Sequence, residues 1–451
     1  MIDRSRLSHL LERERAAFKD RNPRSFAAYN GARHLLGRVP MTWMNKAAGG
    51  FPLYAAKAHG ARVEDLDGHM LVDFCLGDTG AMAGHSPKPM VDAVLEQIAG
   101  RGGVTTMMPT TDADWVATEL ARRFGLPFWS FSLTATDANR WAIRLARAIT
   151  GRPKVLFNSY CYHGTVDESL IVVGADGHGT SREGNVGAPS DVTTTSRVAE
   201  YNDLEGLERE LAHNDVAAML MEPALTNMGI VLPRDGYLAE VRTLTKKYGT
   251  LLINDETHTF SAGPGGATRA WGLAPDMLTI GKAIAGGIPV GAYGMSEELA
   301  HHLASRADLD MVDVGGVGGT LAGNPVSITA ARATLEHVLT DKAFETMISL
   351  STLFTAGVQQ AIDTYELPWS VSQLGARTEY RFTSPPPANG TESHAATDGE
   401  LEDYLHVFLA NRGILMTPFH NMALMSPATS KEDVDKHHEV FSEAVGELAG
   451  G

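Results

Sequence analysis

Short apolar runs alternate with amphipathic stretches from about Asp65 to Leu335. Lys154–Asn158 (KVLFN), Val216–Met221 (VAAMLM), Thr250–Asn254 (TLLIN) and Met277–Ile280 (MLTI) are brief and almost wholly apolar. A strand covered on both faces reads this way, because neither face meets water. Between these runs, Asp137–Ile149 sets Ala138, Trp141, Ala142, Leu145 and Ile149 at helical spacing. Leu238–Tyr248 is a second helix, with Gly249 as its stop. The alternation predicts an α/β domain with a mostly parallel central sheet.

Past Thr329 the pattern changes. Helical segments lead to strands over Ser370–Phe382 and to a proline-marked loop at 384–399. A helix over Glu400–Asn411, a strand over Ile414–Thr417 and a helix over Lys431–Leu448 follow. The N-terminus, MIDRSRLSHLLERERAAFKDR, reads as a charged helix. These features predict a large domain over 66–329 and a smaller α+β domain built from 1–65 and 330–451.

Composition narrows the partners. Lys+Arg number 38 and Asp+Glu 54, a net charge of −16. That sign argues against nucleic-acid and anionic-membrane partners. No apolar run approaches about 18 residues and no leader pattern is visible, so a cytoplasmic location is expected. The two cysteines, Cys75 and Cys161, form no disulfide framework. No HExxH or paired Cys/His spacing is present among the 17 histidines, so no metal is expected. The pairs His301-His302 and His437-His438 read as exposed helix positions, and Gly315–Gly319 lacks the spacing of a dinucleotide loop.

The informative residues stand at strand ends, where ligands of open α/β sheets collect. Glu222 follows VAAMLM, Asp255 follows TLLIN, Lys282 follows MLTI through Gly281, and Tyr162 and His163 come soon after KVLFN. Each alone is bland, since acids and lysines at strand ends are common. Together they describe a pocket. Thr134, Ala135, Thr136 and Asp137 open the helix that carries Trp141 and Leu145, and a helix N-terminus binds phosphate through its free N–H groups. A lysine, a carboxylate, an aromatic face and a phosphate cradle are what pyridoxal 5′-phosphate requires. The lysine amine holds the cofactor and moves protons, and the carboxylate keeps the ring nitrogen protonated.

TLLINDE at 250–256, TIGKAIAGGIP at 279–289, EPALTNMGIVLP at 222–233 and GTLAGNP at 319–325 stand in one order. From about Gly50 to Asp435 the chain resembles class III aminotransferases of pyridoxal-phosphate fold type I, in the branch of the glutamate-1-semialdehyde aminomutases and amine transaminases. The resemblance implies Lys282 as the Schiff-base lysine and Asp255 as partner of the ring nitrogen. Thr257 would lie under the ring, where Val is usual, with Tyr162 on its other face and His163 near. Asn227 would lie near the phenolic oxygen, and Thr134, Ala135 and Thr136 would hold the phosphate. Thr320 would reach the cofactor of a neighbouring subunit, which implies a homodimer.

Departures shape the expected substrate. The family's Ser-Gly-Thr-Glu-Ala loop is Thr134-Ala135-Thr136-Asp137-Ala138 here. Where the aminomutases carry an arginine for the substrate carboxylate, the aligned residue is Trp43, and a usual aromatic position is Asp78. An indole is no substitute for a guanidinium. Arg377 could bind a carboxylate from the small domain, or form a structural ion pair. The bland alternatives are a core aromatic for Tyr162, a turn cap for Asn227 and a strand-end brace for Glu222. The expected activity is a ping-pong transaminase taking a small-molecule amine donor and a carbonyl acceptor. The alternatives are an intramolecular aminomutase and a non-catalytic protein of the same fold.

Overall fold

The structure, a computed structural model, describes residues 2–187, 190–306, 309 and 315–450. The chain divides into two compact units: Met1–Pro87 with Glu345–Pro386 and Ala396–Gly451, and Lys88–Phe344 with Pro387–Ala395.

The larger unit is built on a seven-stranded sheet. Its order is Phe128–Ser132, Gly291–Met295, Met277–Ile280, Leu251–Asp255, Val216–Met221, Lys154–Asn158 and Ser196–Ala199. Only Gly291–Met295 runs antiparallel to its neighbours; the other pairs are parallel. Val216–Met221 is buried throughout and paired on both edges, which is why its six residues are all apolar. The expected α/β class with a mostly parallel sheet is what the structure has.

The helix Ala135–Thr150 packs on this sheet through Ala138, Ala142, Leu145 and Ala146, and the three alanines permit close approach. It starts at Thr134, whose side chain accepts from the Asp137 N–H, and stops at Gly151, whose φ of +67° suits glycine.

The smaller unit holds an antiparallel sheet of Ala55–His59, Arg62–Asp65 and Met70–Asp73, with Ile414–Leu415 added in parallel. A second sheet joins Ser370–Leu374, Arg377–Arg381 and Met422–Leu424. The N-terminal helix Arg4–Arg21 packs on Gly399–Asn411, and buried Glu14 accepts from Asn411 and Arg412.

Three expectations shift. The cut expected at 65/66 would separate two strands that pair antiparallel, so the first stretch of the smaller unit runs to Pro87. The cut expected at 329/330 would sever the helix Pro325–His337, which packs on Lys88–Leu95 and Thr111–Phe124. Within the loop expected at 384–399 lies a short helix, Gly390–Ala395, bound into the larger unit. There Asn202 donates to the Ala388 carbonyl at 2.8 Å and His394 stacks on Tyr160.

One histidine pair is also corrected. His301 and His302 are exposed as expected, but His437 is fully buried between Phe354 and Phe441. A histidine in a charged helical stretch looks solvated in sequence; here it lies on the apolar stripe with Val434, Phe441 and Val445. Among the described residues, no helix is long and apolar enough to cross a membrane. Both cysteines are free and buried.

Candidate active site

Asp255 ends its strand buried, yet it is well supplied with donors. Its Oδ2 lies 2.8 Å from His163 Nδ1 and accepts from Asn139 Nδ2 at 2.9 Å. Its Oδ1 accepts from the Thr257 N–H at 3.0 Å. Burial pushes its pKa up, but the hydrogen bonds from His163, Thr257 and Asn139 outweigh this and hold it below the usual carboxylate range. For His163, burial pushes down and the neighbouring Cys161 and Asp255 push up more, leaving the imidazole well above its ordinary value. The result is an ionised carboxylate in an apolar interior.

Asn139 was not foreseen. It lies on the buried face of the helix Ala135–Thr150, donates also to the His163 carbonyl at 3.2 Å, and accepts from Thr279. Its signal in the sequence was faint: an amide among alanines on an apolar stripe, and a threonine inside MLTI.

The helix N-terminus and the lysine turn are in contact. A Cβ placed on Gly281 would stand 3.0 Å from both the amide nitrogen and the Cβ of Ala135. Glycine therefore lets the chain before Lys282 abut the start of the helix. Lys282 itself has φ +49°, a left-handed conformation that L residues rarely adopt, and opens a 3₁₀ turn ending at Gly286. Its Nζ lies 2.8 Å from Nε2 of His258.

The Tyr162–Thr165 loop closes on the same helix. The Thr165 N–H donates to Thr136 Oγ1 at 3.2 Å, and a Cβ on Gly164 would collide with that oxygen. The loop is also tied to the neighbouring strand end: the Tyr162 N–H donates to Glu222 Oε1 at 3.2 Å, and Thr226 donates to Oε2. Glu222 is buried, and burial raises its pKa. The Tyr162 side chain is 40% exposed, so it is not a core aromatic. Asn227 donates to the Tyr160 carbonyl at 3.1 Å and also bridges to Gly229, which fits the turn reading.

Lys282, Asp255, His163, Thr257 and the Thr134–Thr136 cradle are thus linked through the helix and loops of one unit. Thr320 is exposed in the same unit. Trp43, Asp78 and Arg377 belong to the smaller unit. There Trp43 meets Phe419 edge-on at 5.3 Å, and buried Arg377 donates to Thr79, the residue after Asp78.

This set fits pyridoxal phosphate. The buried Asp255 offers negative charge where a ring nitrogen needs it, the Thr134–Thr136 helix start offers N–H groups for a phosphate, and Thr257 Oγ1 is buried with no hydrogen-bond partner among the described residues.

Comparison with known proteins agrees. Residues 43–445 match the family Aminotransferase class-III, and the chain belongs to that family. It is a pyridoxal-phosphate-dependent enzyme of fold type I. Glutamate-1-semialdehyde 2,1-aminomutase from Desulfitobacterium hafniense strain Y51 is 33% identical over 397 residues, 86% of this chain and 90% of that protein. A glutamate-1-semialdehyde-aminomutase structure from Pseudomonas aeruginosa PAO1 is 46% identical, covers 99% of both chains and superimposes with a TM-score of 0.96. An omega-transaminase from Sphaerobacter thermophilus is 28% identical, covers 95% of this chain and 98% of that one, and has a TM-score of 0.85.

Proposed function

We propose that this enzyme exchanges amino and carbonyl groups within one molecule, as a glutamate-1-semialdehyde-type 2,1-aminomutase does. The observation that carries this reading is the likeness, over 99% of both chains, to the Pseudomonas aeruginosa protein of that name. The cofactor pocket serves either an aminomutase or a transaminase, so substrate choice rests on residues outside it.

When bound, the cofactor supplies a carbonyl that condenses with amines and a ring that accepts the electron pair of a deprotonated carbon. Lys282 Nζ holds it and, once released, carries a proton between carbon atoms. Asp255, kept anionic by His163 and Asn139, would hold the proton on the ring nitrogen. Thr134, Ala135 and Thr136 would receive the phosphate. Thr257 and Tyr162 would hold the two faces of the ring, and Asn227 its phenolic oxygen.

A second reading, the two-substrate transaminase, is favoured by one local feature. Trp43 packs on Phe419 where the aminomutase pattern has arginine, and Arg377 is buried against Thr79. The deciding experiment supplies glutamate-1-semialdehyde alone, then a simple monoamine with a 2-oxo acid. Turnover of the first without a second substrate supports the aminomutase. Turnover only of the pair establishes the transaminase and overturns it.

We infer also that the working form is a homodimer, with Thr320 serving the neighbouring subunit's phosphate. Support comes from an apolar run left exposed on the larger unit, namely Leu95, Ile98, Val104, Met107 and Met108.

A further inference from the structure

We propose that His258 is the proton partner of Lys282: the two form a histidine–lysine dyad that holds a single proton between them. The inference rests on the reading of Lys282 as the cofactor-bearing lysine.

The contact is short. Lys282 Nζ and His258 Nε2 are 2.8 Å apart, a hydrogen-bonding distance. At that separation two positive charges repel strongly, so an ammonium beside an imidazolium is disfavoured. Either the ammonium donates to a neutral imidazole, or the imidazole N–H donates to a neutral amine. Interchange breaks one Lys282 N–H bond and forms one His258 Nε2–H bond. The electron pair of that N–H bond stays on the lysine nitrogen, which becomes a nucleophile and base, and no other reactant is needed.

Both ends are held in place. His258 is buried, three residues beyond Asp255, just before the 3₁₀ turn Thr259–Ala262. Lys282 is fixed by its left-handed backbone and by Gly281 against Ala135.

The acids at the neighbouring strand ends and helix start each have partners of their own. Asp255 is bound by His163 and Asn139, Glu256 by Thr259, Ala267 and Thr268, Glu222 by Thr226 and Tyr162, and Asp137 by Thr134. Tyr162 contributes a phenol that is partly in solvent. Imidazole is the common proton-transfer side chain of enzymes.

The test uses full-length protein stripped of cofactor. Pyridoxal phosphate is added over a range of pH, the covalent adduct is fixed with borohydride, and its site and rate are read by mass spectrometry and absorbance. An adduct on the peptide containing Lys282, absent in Lys282→Ala, supports the underlying reading; an adduct on another lysine overturns that reading. For the dyad, His258 takes the proton that the Lys282 amine must lose before it attacks. His258→Gln keeps a hydrogen bond but cannot take up that proton, so it should slow adduct formation roughly tenfold at neutral pH and move the rise of rate with pH to higher pH. His258→Met is a second variant with the same expectation. Folded variants with the wild-type rate and pH profile, and the adduct still on Lys282, overturn the dyad.

Discussion

Nδ1 of His163 stands 2.8 Å from Oδ2 of Asp255, and both side chains are buried. The two are 92 residues apart in the chain. Asp255→Asn keeps the shape and removes the charge. Turnover should fall by about a hundredfold or more, and an unchanged rate would take Asp255 out of the mechanism.

The same pair sets a pH window for stability. Asp255 is held below the ordinary carboxylate range, so its contribution is present above about pH 4 and fades as pH falls through the lowered value. His163 is held above its ordinary value, so its contribution is full below about pH 6.5 and is lost as pH rises through the raised one. In melting experiments, Asp255→Asn should show a shallower acid-side decline than wild type. Parallel declines in the two proteins would contradict the assignment.

Gly281 has extended backbone, so only space restricts it. Its Cβ would press on the backbone and Cβ of Ala135, which cannot swing aside. Gly281→Ala should destabilise the protein by about 1–3 kcal/mol. It should also weaken pyridoxal phosphate binding, measured by absorbance titration, because the helix start and the lysine turn are pushed apart. Wild-type affinity would show that the two segments are independent.

His437 has no hydrogen-bond partner for either ring nitrogen among the described residues, and burial, then His438, holds its pKa well below the usual value. The native state therefore resists the proton that the unfolded chain binds below about pH 6.5, and stability falls as pH falls through that point. His437→Phe removes the penalty, with a gain of about 1 kcal/mol at pH 8 and more at pH 5.5. Thermal melting at both values checks this. An equal change at the two would remove His437 from the acid response.

Met107 is 92% exposed and Met108 is 74% exposed, more than apolar residues of a free surface ordinarily are. If the proposed dimer is built on this run, changing both to glutamate should leave monomers in sedimentation, with turnover lost as well. A dimer that survives would place the interface elsewhere.

By itself the sequence determined four strands of the central sheet, the helix that begins at Thr134, and the positions of Lys282 and Asp255 at strand ends. These are local facts: apolar periodicity says which face is buried, and strand-end polarity says where ligands collect. The tertiary structure decided what periodicity cannot encode, namely which buried groups meet. Asn139 reaches Asp255 across 116 residues and His258 reaches Lys282 across 24. It also decided that His437 turns inward and that Gly291–Met295 runs against its neighbours. A polar side chain inside a fold must find its partner through packing, and the identity of that partner is written in no one segment of the chain.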